Sequence, residues 1–323
     1  MASTAPEWLW IVEESAWGVP VASPVVNTSQ FLVPLIDSNA FSMVEQPVFN
    51  GIAFGGGFDV EADYVVDQRE CKGSLSTLGY PALAAFLHQA AVTRINTGQT
   101  LPWVTTEAAG DLASFSIYHQ IRQRNGTIRT YAYPACKVMG LDVSISRQDP
   151  KLKIKLDLQA KKELPNAFDS SAALTAPTAP VDTDYPRGPY VFSHTSTRVK
   201  FATVAFAQYD ELSYSIKNKM DPKFFEDRWL QINSIKGRES TADLTSLLKT
   251  SPDFRALLQV GTRQAFEIGF GNGTSTLKVD FSGKVYANKA SFDLGLGKEF
   301  MDKVGLMTQW DASASADVVI TST

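Results

Sequence analysis

The chain repeats itself once. Pro81-Ala-Leu83-Ala-Ala-Phe86-Leu87 in the first half is answered by Pro252-Asp-Phe254-Arg-Ala-Leu257-Leu258 in the second, with the apolar residues at the same offsets from the proline. Strand-like runs follow each segment. The first carries Phe115, Ile117 and a turn at Asn125-Gly126, and the second carries Phe266, Ile268 and a turn at Asn272-Gly273. A long unit that occurs only twice implies two fused copies of one domain rather than a solenoid. The copies differ in their loops. Residues 91–110 of the first half have no counterpart between Leu258 and Phe266.

A length of 323 residues fits two domains of ordinary size, and either half is long enough to bury its own core. The formal net charge of -4 argues against a protein that grips nucleic acid by neutralising phosphates. It does not argue against an acidic wall past which DNA slides. Cys71 and Cys136 are the only cysteines, and they form no CxxC pair, so two reduced thiols are expected. Met1-Ala-Ser-Thr-Ala-Pro6 has no basic residue leading into an apolar run, and no stretch has the length of a membrane span. The chain is therefore expected to be made in a cytoplasm and to stay soluble there, or to leave by lysis or assembly.

Period-2 alternation dominates. Leu152, Ile154, Leu156 and Leu158 alternate with Lys151, Lys153, Lys155 and Asp157, which describes a strand with one face in a core and one in water. Val138, Leu141, Val143 and Ile145 form another strand, with an irregularity expected at Gly140. Leu277, Val279 and Phe281 alternate in the second half, and Ala290, Phe292, Leu294 and Leu296 follow a turn expected at Tyr286-Ala-Asn288. Each half reads as an antiparallel β-sandwich or barrel with one short flanking α-helix. Pro81 opens the first helix, with Leu83, Phe86, Leu87 and Ala90 on one face, and Ser251 caps the second before Pro252. A further helix is expected over Ser240 to Leu248, with Thr241 as its cap. The Ala/Thr/Pro-rich stretch 165–189 reads as a linker between a first domain at 1–164 and a second at 190–323.

Catalytic signatures are absent. His88, His119 and His194 sit in no HExxH or HxH arrangement, so no metal is expected. The glycines after Asn50 lack a GK[ST] ending, and no GxSxG elbow occurs. Glu13-Glu14, Asp142, Glu226-Asp227 and Asp293 read as solvated surface acids. Neither an enzyme nor a cofactor is expected. The informative apolar residues lie ahead of each helix: Phe41, Met43, Val44, Val48, Phe49, Ile52 and Phe54 in the first half, and Met220, Phe224, Phe225 and Trp229 in the second. They either pack on their own domain or belong to projecting hairpins that dock on another subunit.

The opening Ile11-Val-Glu13-Glu14-Ser-Ala-Trp17-Gly18-Val-Pro20, the run Gly73-Ser-Leu75-Ser-Thr-Leu78-Gly79 before the Pro81 helix, and the Asn125-Gly126 hairpin together resemble the major tail tube proteins of long-tailed bacteriophages, in a two-domain form. That resemblance implies a structural virion protein with no active site, built in the bacterial host cytoplasm. It implies sheets that join across subunits, so that three chains close a pseudo-sixfold ring and rings stack into a hollow tube through which DNA passes without specific binding. The implied partners are copies of the chain itself, a tape measure protein, a tail terminator, and distal tail or baseplate proteins. Phe49, Ile52, Phe54, Met220, Phe224 and Phe225 are the expected contacts between rings or subunits. Two rival readings are a single-ring tail component (terminator, hub or decoration protein) and a carbohydrate-binding β-sandwich module.

Overall fold

The computed structural model describes residues 7–14, 17–20, 30–36, 40–51, 64–92, 103–106, 112–122, 127–165, 188–192, 198–201, 204–206, 209–224, 229–247, 265–272, 275–281, 286–293, 301–308 and 318–322. The first half contributes β1 (Glu7–Glu13), β2 (Gln30–Leu32), β3 (Phe41–Gly51), β4 (Tyr64–Leu78), α1 (Pro81–Val92), β5 (Trp103–Thr106), β6 (Phe115–Arg122), β7 (Ile128–Ser146), β8 (Lys153–Ala160) and β9 (Leu164–Pro165). The second contributes β10 (Arg198–Phe201), β11 (Val204–Phe206), β12 (Tyr209–Phe224), β13 (Leu230–Leu247), β14 (Phe266–Gly271), β15 (Thr276–Asp280), β16 (Tyr286–Asp293), β17 (Met301–Met307) and β18 (Val319–Ser322).

Eight of these strands form one antiparallel run in the order β3-β4-β8-β7-β12-β13-β17-β16. Side-chain alternation gives it two unlike faces. Leu75, Val143, Leu156, Leu212, Leu244 and Val304 are buried on one, while Ser144, Lys155, Glu211, Asp243 and Lys303 reach solvent on the other. Two smaller sheets lie beside it. One runs β2-β1-β6-β7-β9 and the other β11-β10-β14-β15-β18-β5. At 19 residues, β7 is long enough to serve two sheets. Its first part pairs with β6 and β9, and its second part with β8 and β12. The fold is a mainly β sandwich.

Neighbour relations recur between the halves. β1 lies between β2 and β6 as β10 lies between β11 and β14, and β4 lies between β3 and β8 as β13 lies between β12 and β17. The irregularity expected at Gly140 is a β-bulge between Val138 and Gly140, against Leu158 and Asp157. Its counterpart lies between Ala287 and Lys289, against Leu306 and Gly305. The turn expected at Tyr286-Ala-Asn288 is therefore a bulge inside β16. An extra residue and a turn share their local irregularity, and only pairing separates them.

The helix expected over Ser240 to Leu248 is the end of strand β13 as far as Leu247, and Leu248 lies outside the described residues. Ser240, Ala242 and Leu244 are buried while Asp243 is exposed, a period of two, and both backbone edges of this part of β13 are taken by β12 and β17. The spacing of Leu244 and Leu247 suggested a helical stripe, but the β-branched Thr241 and Thr245 suit the pleat. The Pro81 helix is present, yet it does not bury one face only. All residues from Leu83 to Val92 are buried, because α1 is wedged among β5, β7, β12, β15 and β18. The expected helix after Ser251 and the turn at Asn125-Gly126 lie outside the described residues. A single hydrophobic core includes Phe86 and Leu87 of α1, Phe115 of β6, and Phe266 and Ile268 of β14.

Candidate assembly interface

The halves meet along β7 and β12, whose ladder runs from Ser146↔Glu211 to Gly140↔Lys217. Side chains latch this seam from the buried side. His88 of α1 donates its Nδ1 proton to the Ala84 carbonyl at 2.6 Å, which leaves Nε2 to accept the hydroxyl of Tyr214 on β12. Burial pushes the His88 pKa down to about 4 and the Tyr214 pKa well up, so both groups are neutral near pH 7. Asn218 donates to the carbonyls of Ala91 and Val138, each at 2.9 Å. Arg238 donates to Val92 O at 2.7 Å and to Asn218 Oδ1 at 2.9 Å. The last carbonyls of a helix need partners, and a cation there also meets the negative end of the helix dipole. β5, from the insertion after α1, adds itself to β18 in the second half.

The run of eight strands has two outer edges, β3 and β16. Among the described residues β3 pairs only with β4, and β16 only with β17. Val44 on β3 is 48% exposed, the largest exposure of a bulky apolar residue after Val19 among the described residues. An open strand edge carries unpaired N–H and C=O groups and invites another chain.

Glu14 is not a solvated acid. It is buried, and its carboxylate accepts Ser116 Oγ at 2.6 Å, Ala135 N at 2.8 Å and Gly18 N at 2.9 Å. Ala135 has φ 57°, in the corner where β7 leaves one sheet for the other, and Gly18 has φ 76°. One carboxylate thus fixes two left-handed backbone positions. In the run Gly73 to Gly79, a Cβ on Gly73 would collide with the β3 backbone at Ser42 and Met43, and one on Gly79 with Leu152. These glycines let strands approach closely.

Among the described residues the solvent face of the eight-stranded run is mostly polar, with Val44 as an apolar exception. A groove of about 390 Å³ is lined there by residues that include Ser76, Asp142, Ser144, Lys155, Ser213 and Asp243. Lys153 pairs with Asp149, and Lys155 with Asp157 at 3.9 Å. No group of three or more potential metal ligands occurs among the described residues.

The family described as phage tail tube protein matches residues 9–299, nearly the whole chain. The chain belongs to that family. A comparison with curated proteins finds no match. Tail tube proteins are structural components of the phage tail, and no described helix of this one is long and apolar enough to cross a membrane.

Of the tail tube protein's expected contact residues, Phe49 lies on β3, just past the β-bulge that separates Val48 from it. Met220 and Phe224 lie half-buried on β12, each at a shift in register with β13. Ile52, Phe54 and Phe225 lie outside the described residues. Others in those stretches pack inward. Met43 is in the core, and the Phe41 ring meets His119 at 5.0 Å and Tyr133 at 5.8 Å. Trp229, at the far end of the β12–β13 hairpin, sits under the Arg69 guanidinium of β4 at 5.2 Å, so that hairpin reaches the other half. His194 and Glu226-Asp227 lie outside the described residues. Both cysteines are free and buried. Burial, with Glu163 and Glu45 adding to it, pushes the Cys71 thiol up to about 12. The latch residues Tyr214, Asn218 and Arg238 were not singled out from sequence. Their signal, polar groups within an otherwise alternating strand, is also that of ordinary surface positions.

Proposed function

We propose that this chain is the repeating unit of the tail tube, with three copies closing a pseudo-sixfold ring and rings stacking into the hollow conduit for DNA. The carrying observation is the β7–β12 seam, which continues one sheet from the first half into the second. The same joint made between chains turns an open run into a closed barrel with no free edges. The recurrent neighbour relations support two like modules, 1–164 and 190–323, tied by the segment 165–189. With two modules per chain, six sheets require three chains. Contacts along the axis are head-to-tail and therefore propagate.

The polar face of the eight-stranded run lines the bore in this reading. Serine and threonine offer DNA no counter-charge, and Asp149 and Asp157 occupy Lys153 and Lys155. Phe49, Ile52, Phe54, Met220, Phe224 and Phe225 contribute contacts between rings or subunits. The finished tube sits in the virion, after assembly in the host cytoplasm beside a tape measure protein, a terminator, and distal tail or baseplate proteins.

Electron microscopy of the purified protein tests the reading. Long hollow filaments with threefold rings are expected, and isolated rings or a persistent monomer would overturn it. Phe49→Asp with Phe224→Asp is expected to stop polymerisation. Normal tubes from that variant would remove the two phenylalanines from the interface.

A further inference from the structure

The internal seam is also a template for the external one. Leu75 on β4 faces Phe41 on one side and Leu156 on the other, and Leu244 on β13 faces Leu212 and Val304 in the same way. This sets β3 equivalent to β12 and β8 to β17. Leu156 then faces Leu141 of β7, and Val304 faces Ala290 of β16, so the second part of β7 is equivalent to β16. The two bulges, opposite Leu158/Asp157 and Leu306/Gly305, fall at the same step and fix this alignment independently. β7 and β12 are joined to each other, while their counterparts β16 and β3 are, among the described residues, the two free edges of the run.

We propose that β3 of one copy pairs antiparallel with β16 of a second copy of this chain, in the register of the internal seam, so that Val44 stands opposite Ser291. Ser215↔Asp142 transfers to that pair, Tyr214↔Val143 to Met43 and Phe292, and Lys217↔Gly140 to Gln46 and Lys289. Two features of β3 fit. The exposed Val44 gains a cross-strand neighbour. Pro47, which has no N–H to give, is equivalent to Asn218, the first residue beyond the internal ladder, so it closes the pairing without loss. The new seam also lacks the latch. Tyr214 and Asn218 correspond to Met43 and Pro47, which cannot supply a hydroxyl to an imidazole or an amide to helix carbonyls. Three junctions of each ring are then latched within a chain and three lack that latch, and a ring opens at the unlatched ones. The inference rests on the ring reading above and adds to it the edges, the register and the weaker joint.

Cysteine pairing tests it on the full chain. Directly opposed residues place their Cβ atoms roughly 4.5–5.5 Å apart, close enough for oxidation or a short bifunctional thiol reagent. Cys71 and Cys136 are buried and do not compete. Val44→Cys with Ser291→Cys is expected to give a covalent ring of three chains on a non-reducing denaturing gel, and either single variant is not. If rings form under the microscope but only a shifted pair such as Val44→Cys with Lys289→Cys cross-links, the register is overturned and the ring reading stands. If the unaltered protein forms no rings, both fall. Hydrogen exchange on the unaltered chain covers a folding failure of the double variant: amides of β3 and β16 are expected to gain protection on assembly, and no gain overturns the proposal.

Discussion

The two smaller sheets share a pairing plan and differ in what their outward faces carry. In the first half the row Leu32, Trp10, Tyr118, Ala132, Leu164 crosses five strands, and together with Val12 it forms a separate apolar cluster with Tyr118 fully buried. In the second half Lys200, Glu267 and Asp280 occupy such a row, with Lys278 beside them. Glu267 meets Lys278 at 2.7 Å and Lys200 at 3.1 Å. One sheet is thus buried on both faces and the other meets water on one. The same neighbour order tolerates either, because backbone pairing sets topology while side chains decide what the face can touch.

Tyr118→Ala gives the largest expected effect. It empties a fully buried ring site in the apolar row and is expected to cost about 3–5 kcal/mol in urea unfolding. A cost below about 1 kcal/mol, as for a surface position, would mean that the row is not a core at all and that the contrast between the sheets is false.

Glu14→Ala comes next. It strips acceptors from Ser116 Oγ, Ala135 N and Gly18 N in a buried corner. Leaving buried donors unsatisfied costs about 1–3 kcal/mol for each group, with incomplete additivity, so a total of about 2–4 kcal/mol is expected from the same unfolding experiment. Glu14→Gln keeps the shape and retains part of the stability. If Glu14→Ala proves no worse than the Glu267 change below, the carboxylates of the two halves are not held differently.

The strands with strict alternation were legible in the sequence. Ile154, Leu156 and Leu158 announced β8, and Gly140 announced the bulge in β7. So was the Pro81 helix, since proline at a first turn followed by an apolar run has few other uses. The stretch over Ser240 to Leu248 was misread because two leucines three apart fit a helix, whereas the two strands flanking β13 are distant in sequence. Glu14 was misread for a similar reason. An acid beside an acid looks solvated, and two of its three donors, Ser116 and Ala135, come from strands far along the chain, with only Gly18 N close by. The seam itself was beyond reading. Nothing local in β7 or β12 says which edge each will take, and the latch joins residues that meet only after both sheets exist.

Glu267→Gln is the smallest expected effect and the sharpest probe of the charged face. Burial alone would raise this carboxyl's pKa, but hydrogen bonds and charge from Lys278 and Lys200 outweigh it and hold the pKa below its ordinary value. A carboxylate with a depressed folded pKa adds stability that is present above the unfolded value and is lost as pH falls through the folded one. The unaltered chain should therefore lose this increment on acidification below about pH 4.5, and Glu267→Gln should not. At neutral pH the pair lies on a solvent-facing row, so removing its charge is expected to cost less than about 1 kcal/mol, and 1 M salt, with a screening length near 3 Å, should erase most of the difference. A salt-independent cost as large as that of Glu14→Ala would show that the lysines are structural in the manner of a buried network, and the distinction between the two sheets would have to be drawn elsewhere.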